Sequence, residues 1–477
     1  MLRIPYIRLC LVFLLAPTAF SAECPGADLR DTSLQADYLV VAPSSFCALA
    51  ETLAVLHRDR DGLRTMVVCI DSVTAQFGRG VTPDTALRAF LRFANAHWAS
   101  PAPRYVVLAG NVDRVPSHPE AESLNEPGCD TVLSIDRWLV ESPDGIGDPI
   151  ACVGRLPAWD SLDFAVMVRK VVAYQREAGE AAWCARAVSL ADYDAASCCM
   201  FEYDAQYFQG LLRPAWMDTV SVDIRGDSPC HLQTDCFMHL WDEGASILTY
   251  CGHADALSLS ATRYFTSDRI DSLVNGCRLP VCLLGGCDLS YDAGPQCSIP
   301  THLMERAGGG AVAVVSSVGL MYECDVVSFL GALIRSLAAD PRCPLGVAFD
   351  DAARASGGGV FRRFTLLGDP AMSVKRASPV SSLPGTGDVA RSFGLAQNFP
   401  NPFNPVTTIR YSIPVTAFVT LVVYDLLGRE VRCLVRGSVV AGEHTVLLDA
   451  TGLPSGPYFY RLRSGGRTET RKLIVLH

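Results

Sequence analysis

Short apolar runs alternate with longer amphipathic stretches from Tyr38 to about Met372. Tyr38–Ala42, Thr65–Ile70 and Arg104–Ala109 are predicted strands, and the segments between them, Ser45–Arg60 and Thr82–Trp98, carry helical patterns. Thr82 suits an N-cap and Pro83 the first turn, where a missing N–H costs nothing. Strands that are apolar throughout are covered on both faces, so this order predicts a parallel sheet flanked by helices. A helix over Ser161–Glu177 closes a first half. The pattern then restarts with strands at Ala187–Ala191, Ala245–Tyr250, Leu279–Leu284 and Ala311–Ser316. Two α/β subdomains with parallel sheets are therefore expected, over residues 36–180 and 181–376.

After Lys375 the pattern changes. Residues 377–393 read as a linker rich in Ser, Pro and Gly. Beyond it the period becomes two, in short runs such as Thr408–Ile413, Phe418–Tyr424, Glu430–Val435, His444–Leu448, Tyr458–Arg463 and Arg467–Val475. About seven strands at this spacing predict an all-β immunoglobulin-like sandwich over residues 394–477. At the other end, residues 1–21 read as a signal peptide. Arg3 and Arg8 precede the apolar run Leu9–Ala16, which is too short to span a bilayer, and Ala19-Phe20-Ser21 supplies the small residues of a cleavage site. No later stretch reaches spanning length without charge, so no membrane insertion is expected after signal removal.

Composition narrows the partners. The chain has 477 residues, 49% of them hydrophobic and 19% charged, which suits a well-buried globular protein. A formal charge of -10, with no dense Lys/Arg run, argues against nucleic acid as a partner. Nineteen cysteines are many for this length, but their spacing is not that of a small disulfide scaffold. Cys69, Cys152 and Cys282 lie in apolar runs, where a thiol packs as a small hydrophobe. Cys198-Cys199, Cys230-His231 and Cys236 come nearest to a zinc cluster but lack a paired C-x-x-C knuckle, so disulfides or burial are expected instead. Asp144-Gly-Ile-Gly-Asp148 resembles part of a calcium turn, too short for a full ligand set, and no calcium is assigned.

In an open parallel sheet, functional groups gather at the carboxyl ends of strands. Ser246–His253 finishes one apolar run with a glycine turn and a histidine. Pro280–Cys287 finishes the next with two glycines and a cysteine. Neighbouring strands would bring His253 and Cys287 to one rim. A cysteine attacks as thiolate, and a histidine beside it takes the proton and later protonates the leaving amine. Backbone N–H groups at Gly286 and Cys287 would form an oxyanion hole. Packing is the commoner role for a strand-end His or Cys, so spacing alone does not assign catalysis. Cys251 and Cys282 are expected in the core. His57, His97 and His118 are expected on solvated helices or loops.

These residues resemble the gingipain-like cysteine peptidases over residues 38–375. The matching segments are Tyr38–Pro43, Thr82-Pro83-Asp84, Arg104–Gly110, Val153–Pro157, Gly252-His253, Arg278-Leu-Pro280 leading to Cys287, Gly308–Val314 and Leu366–Pro370. The resemblance implies a caspase-like fold with catalytic residues at His253 and Cys287. It also implies an acidic residue after the strand that opens the second subdomain. Asp194 is the chosen orienting carboxylate, with Asp192 nearly as well placed and helix capping as the structural alternative for either. No organic cofactor is implied. Ala254 stands where the family usually has a second glycine, and Asp255–Leu259 lacks the aromatic residue often found there. Cleavage after basic residues is therefore not carried over. The first strand follows the signal so closely that no long propeptide is expected.

Asn398–Pro405, Val423–Glu430, Ala441–His444, Gly452–Gly456 and Thr470–Leu473 are similar to the C-terminal sorting domains of type IX secretion. That similarity implies the type IX machinery as a partner. It also implies passage through the periplasm of a Gram-negative-type bacterium to the outer surface or the medium. A plain immunoglobulin-like adhesion module is the alternative. The combined expectation is a secreted cysteine endopeptidase acting on proteins or peptides. A catalytically silent surface or binding protein of the same fold is its rival, supported by the loss of glycine at 254.

Overall fold

The computed structural model describes residues 28–121, 132–142, 148–177, 181–192, 200–216, 218–223, 230–260, 263–290, 298–357, 360–377, 393–414, 417–439 and 442–476. The signal segment 1–21 and all but the ends of the linker lie outside these residues.

The strand Tyr38–Ala42 is buried at all five positions. Successive side chains of a strand point to opposite faces. Tyr38, Val40 and Ala42 accordingly enter one apolar core, and Leu39 and Val41 enter another. The helix Pro83–His97 covers the second core through Leu87, Phe90, Leu91 and Ala94. The helices Cys47–Asp61 and Ser161–Arg176 cover the first. Thr82 precedes its helix in extended conformation, yet its hydroxyl bonds to Thr85 Oγ1 at 2.9 Å rather than to a backbone N–H. Asp160 is a fuller cap for the next helix, accepting from Leu162 N at 2.8 Å and Asp163 N at 3.0 Å.

Ten strands form one sheet. Its order is Thr65–Cys69, Tyr38–Ala42, Tyr105–Ala109, Cys152–Leu156, Phe364–Leu367, Ala313–Ser317, Val281–Gly285, Ile247–Cys251, Arg186–Ala191 and Asp218–Asp223. All neighbours run parallel except Ala313–Ser317 with Phe364–Leu367. The sheet is thus parallel-dominated, and the two halves of the α/β region share it. Cys152–Leu156 and Phe364–Leu367 make the junction, where Leu367 pairs with Arg155 and Gly368 N donates to Arg155 O at 2.7 Å. A Cβ on Gly154 would lie 2.4 Å from Gly368 O, so this seam needs glycine.

Polar groups are buried at the same seam. Arg155 is 2% exposed; its guanidinium donates to both carboxylate oxygens of Asp136, at 2.7 and 2.6 Å, and to the carbonyls of Gly110 and Val115. His57 corrects the expectation of a solvated histidine: it is fully buried. Ala50, Leu53, Ala54 and His57 share the buried face of helix Cys47–Asp61, at the spacing of one helical stripe. His57 Nε2 lies 2.8 Å from Asp369 Oδ2 and Nδ1 lies 2.6 Å from Asp61 Oδ2, while Tyr38 donates its hydroxyl to Asp369 at 2.8 Å. Burial opposes the imidazolium, but Asp369 and Asp61 outweigh it and raise the His57 pKa to about 9. His97 is exposed, as expected. His118 is partly buried, bonded to Asp84 at 2.8 Å and stacked on Trp138 at 3.8 Å.

The C-terminal region is a sandwich of seven antiparallel strands. Gly394–Leu395, Val406–Ile413 and Gly442–Asp449 form one sheet. Glu430–Val439, Ala417–Tyr424, Gly456–Ser464 and Arg467–Val475 form the other. Ile409, Tyr411, Ile413, Val419, Leu421, Tyr460 and Leu473 belong to its own core. Asn398 explains part of the motif that opens the tail. Its side-chain amide donates to Thr407 Oγ1 at 2.9 Å and Pro400 O at 3.1 Å, and its backbone N–H donates to Tyr460 Oη at 2.8 Å.

Candidate active site

His253 and Cys287 leave the sheet side by side. Their strands, Ile247–Cys251 and Val281–Gly285, are parallel neighbours with Cys251 paired to Gly285. Each residue of interest follows its strand's last member by two positions, at the carboxyl rim. Gly252 N donates to Gly285 O at 3.1 Å, which extends the pairing one step into the turns. The approach is tight. A Cβ on Gly286 would sit 2.6 Å from Ala254 Cβ and 2.9 Å from Gly252 O, and one on Gly252 would sit 2.2 Å from Asp192 Cβ. Glycine at both places lets the two turns touch.

The turn carrying His253 is held from three directions. Its backbone N–H donates to Asp192 Oδ2 at 3.1 Å, and its carbonyl accepts from Tyr250 Oη at 2.5 Å and Ser260 N at 2.7 Å. The side chain is exposed at the rim, its ring nearly perpendicular to that of Phe201 with centroids 5.3 Å apart. Ala254 then enters a small antiparallel sheet with Ser258–Leu259 and Phe265–Thr266. Asp255 closes that turn by accepting from Leu257 N and Ser258 N, both at 2.7 Å.

Cys287 forms no disulfide and lies at an intermediate depth, with Sγ 3.8 Å from Met321 O. The chain bends sharply just after it. Asp288 has φ 51°, in the left-handed region, and Asp288 N donates to Gly319 O at 2.8 Å. The Ser317 hydroxyl bonds to Gly286 O. A thiol and an exposed imidazole on adjacent turns of one rim are the groups that nucleophilic acyl transfer uses.

Of the two aspartates singled out from sequence, Asp192 is described. It is 4% exposed, its N–H donates to Cys251 O at 3.0 Å, and its carboxylate holds the His253 main chain. Asp194 lies outside the described residues, as do Asp144, Cys198 and Cys199. Cys230, His231 and Cys236 fall on the helix Cys230–Glu243, but their side chains are not among those described. Asp148 pairs with Arg354 at 3.0 Å. Among the described residues, no group of three or more His, Cys, Asp or Glu is arranged to hold a metal ion.

Cys251 and Cys282 are buried, and burial pushes both thiols up. Cys47 is disulfide-bonded, a state that persists in oxidising compartments. Phe201, Asp204, Tyr250, Ser317, Met321 and Glu323 all bear on this rim and were not singled out from sequence. They come from the start of one helix, the ends of two strands and the turn into a second helix, segments far apart in the chain, so no local motif joins them.

Residues 31–375 match the family described as Peptidase family C25. The chain belongs to that family. This C25 chain is a cysteine-type peptidase with a mixed α/β fold. Residues 397–476 match the secretion system C-terminal sorting domain, which marks a secreted or cell-surface protein handled by type IX secretion. No curated protein matches the chain. Among solved structures it is similar to the Arg-specific cysteine proteinase gingipain R, with a TM-score of 0.60 and 15% identity, over 92% of this chain and 98% of that one. A complex of Porphyromonas gingivalis RgpB pro- and mature domains gives 0.58 and 15%, over 92% and 100%. At such identities the likeness speaks for the fold. No helix among the described residues is long and apolar enough to cross a membrane.

Proposed function

We propose that this C25 chain is a secreted endopeptidase in which Cys287 is the nucleophile and His253 the general base, then acid. One observation carries the reading: Cys251 pairs with Gly285, so His253 and Cys287 emerge at the same level from adjacent parallel strands.

The thiol proton passes to the His253 imidazole as Sγ bonds to the substrate carbonyl carbon. Charge that develops on the carbonyl oxygen is met by the backbone N–H groups of Gly286 and Cys287. The imidazolium protonates the leaving amine, the C–N bond breaks, and a thioester remains on Cys287. Water then attacks that thioester as His253 takes its proton. The acid product leaves and the thiol is restored. Asp192 holds the His253 turn through the backbone, and Asp194 is assigned to the imidazolium. The substrates are proteins or peptides, and the sequence of steps calls for no organic cofactor.

Hydrolysis of a mixed fluorogenic peptide library under mild reduction tests this. Cys287→Ala and His253→Ala should each lose activity by about 10³-fold or more, as removal of a member of such a unit does. Unchanged hydrolysis in Cys287→Ala would remove it as nucleophile. No hydrolysis by folded wild-type protein would favour the silent binding protein.

A further inference from the structure

The segment around Cys287 is tied to one neighbouring strand only. Ala313–Ser317 flanks Val281–Gly285 on one edge, and Ile247–Cys251, which leads to His253, flanks it on the other. The paired residues of Val281–Gly285 and Ala313–Ser317 end at Leu284 with Ser316. Beyond that point the Ser317 hydroxyl donates to Gly286 O, Asp288 N donates to Gly319 O at 2.8 Å, and Ser290 N donates to Ser317 O at 3.1 Å. The hydroxyls of Ser290 and Ser316 bond to each other as well. Ser317 is fully buried, so its hydroxyl has to be satisfied within the protein. Its acceptor, however, is the carbonyl just before Cys287.

That choice of acceptor bears on Cys287. Gly286 C=O and Cys287 N–H belong to one peptide unit, which is planar and trans and so points the two groups in opposite directions. With Gly286 O held on the Ser317 edge, Cys287 N–H is directed to the other edge, where the His253 turn lies. The bond from Asp288 N to Gly319 O holds the next peptide to the Ser317 edge, so Cys287 is gripped on both sides. We propose that Ser317 is a positioning residue of the peptidase: by holding Gly286 O, its hydroxyl aims the Cys287 N–H at the oxygen of the scissile carbonyl. The role rests on the dyad reading above, and the hydroxyl acts only through the peptide. An oxyanion donor is effective when it is already aimed at the place where charge develops. Without the hydroxyl, the Gly286–Cys287 peptide can turn, since glycine tolerates a wide range of backbone angles. Proton transfer from the thiol to His253 does not use that peptide.

Two reactions of the same thiol separate this role from a general one. In addition to a peptide aldehyde, Sγ bonds to the carbonyl carbon, the C=O π pair moves onto oxygen, and that oxygen takes the thiol proton by way of His253. In alkylation by iodoacetamide, Sγ bonds to the CH2 carbon, iodide leaves with the bond pair, and no oxyanion forms. Ser317→Ala should lower kcat for peptide hydrolysis about 10-fold or more with KM within about twofold, short of the roughly 10²–10³-fold that loss of an oxyanion donor costs. The inhibition constant of a peptide aldehyde should rise by a similar factor, while Cys287 alkylation, read by peptide mass, stays within about twofold of wild type. Unchanged kcat and aldehyde affinity would overturn the proposal. Alkylation that falls in step with hydrolysis would also overturn it, because the hydroxyl would then support the cleft as a whole. Should wild type cleave no peptide, or Cys287→Ala cleave as well as wild type, the dyad reading fails and the role of Ser317 falls with it. Should Ser317→Ala fold poorly, Ser317→Cys carries the test: it fills similar space with a weak donor and should show the same split between hydrolysis and alkylation.

Discussion

Gly252 and Gly286 matter through what they lack. A methyl group on Gly286 would press on Ala254 Cβ at 2.6 Å, in the turn that carries His253. Displacing reacting groups by about 1 Å can cost 10²-fold in rate. Gly286→Ala should therefore lower kcat/KM on that order while the thermal midpoint, set by the cores below, moves little. An unaltered kcat/KM would mean that the turns are not held as closely as described. His57 governs stability instead. Its pKa is raised to about 9, with burial opposing and Asp369 and Asp61 prevailing, so its contribution is complete below the unfolded value near 6.5 and is lost as pH rises through 9. Asp369 is lowered, burial again opposing and His57 prevailing, so its contribution is present above its unfolded value and lost as pH falls. The pair is strongest between about pH 4 and 6.5. His57→Leu strands a buried carboxylate and should cost about 3–5 kcal/mol at pH 6, with a smaller gap to wild type near pH 10. Urea unfolding at the two pH values checks this, and an equal gap at both would refute the charged pair.

At the scale of elements, the seam between Cys152–Leu156 and Phe364–Leu367 decides whether the two halves share one sheet. Gly154→Ala would drive a Cβ to 2.4 Å from Gly368 O. It should destabilise by about 1–3 kcal/mol, the usual cost of overpacking, measured as a lower urea midpoint with unchanged slope. The strands named from sequence are mostly apolar runs, such as Tyr38–Ala42 and Val281–Gly285. Cys152–Leu156 was not read as a strand because Gly154 and Arg155 interrupt its apolar run. Arg155 is tolerated there since Asp136 and two carbonyls satisfy it, and those partners come from elsewhere in the chain. The surface assignment of His57 failed for the same reason. Its acceptor Asp369 is supplied by a loop 312 residues away in sequence.

For the whole molecule, the tail has a core of its own and a role of its own. A chain ending before residue 394 loses the sorting domain and should accumulate inside the cell, as read by immunoblot of cell, surface and medium fractions. Wild-type amounts outside would separate export from this domain. The alternation of apolar and polar residues by itself determined the α/β region, the seven-stranded tail and the strand ends at His253 and Cys287, because period and turn residues are local properties of a chain. Tertiary structure alone decided that one sheet runs through both halves, that Asp192 grips the His253 turn, and that Asp204 reaches Cys251 at the end of that strand. Those pairings join segments far apart in sequence, and whether a buried charge is affordable depends on a partner that folding brings to it.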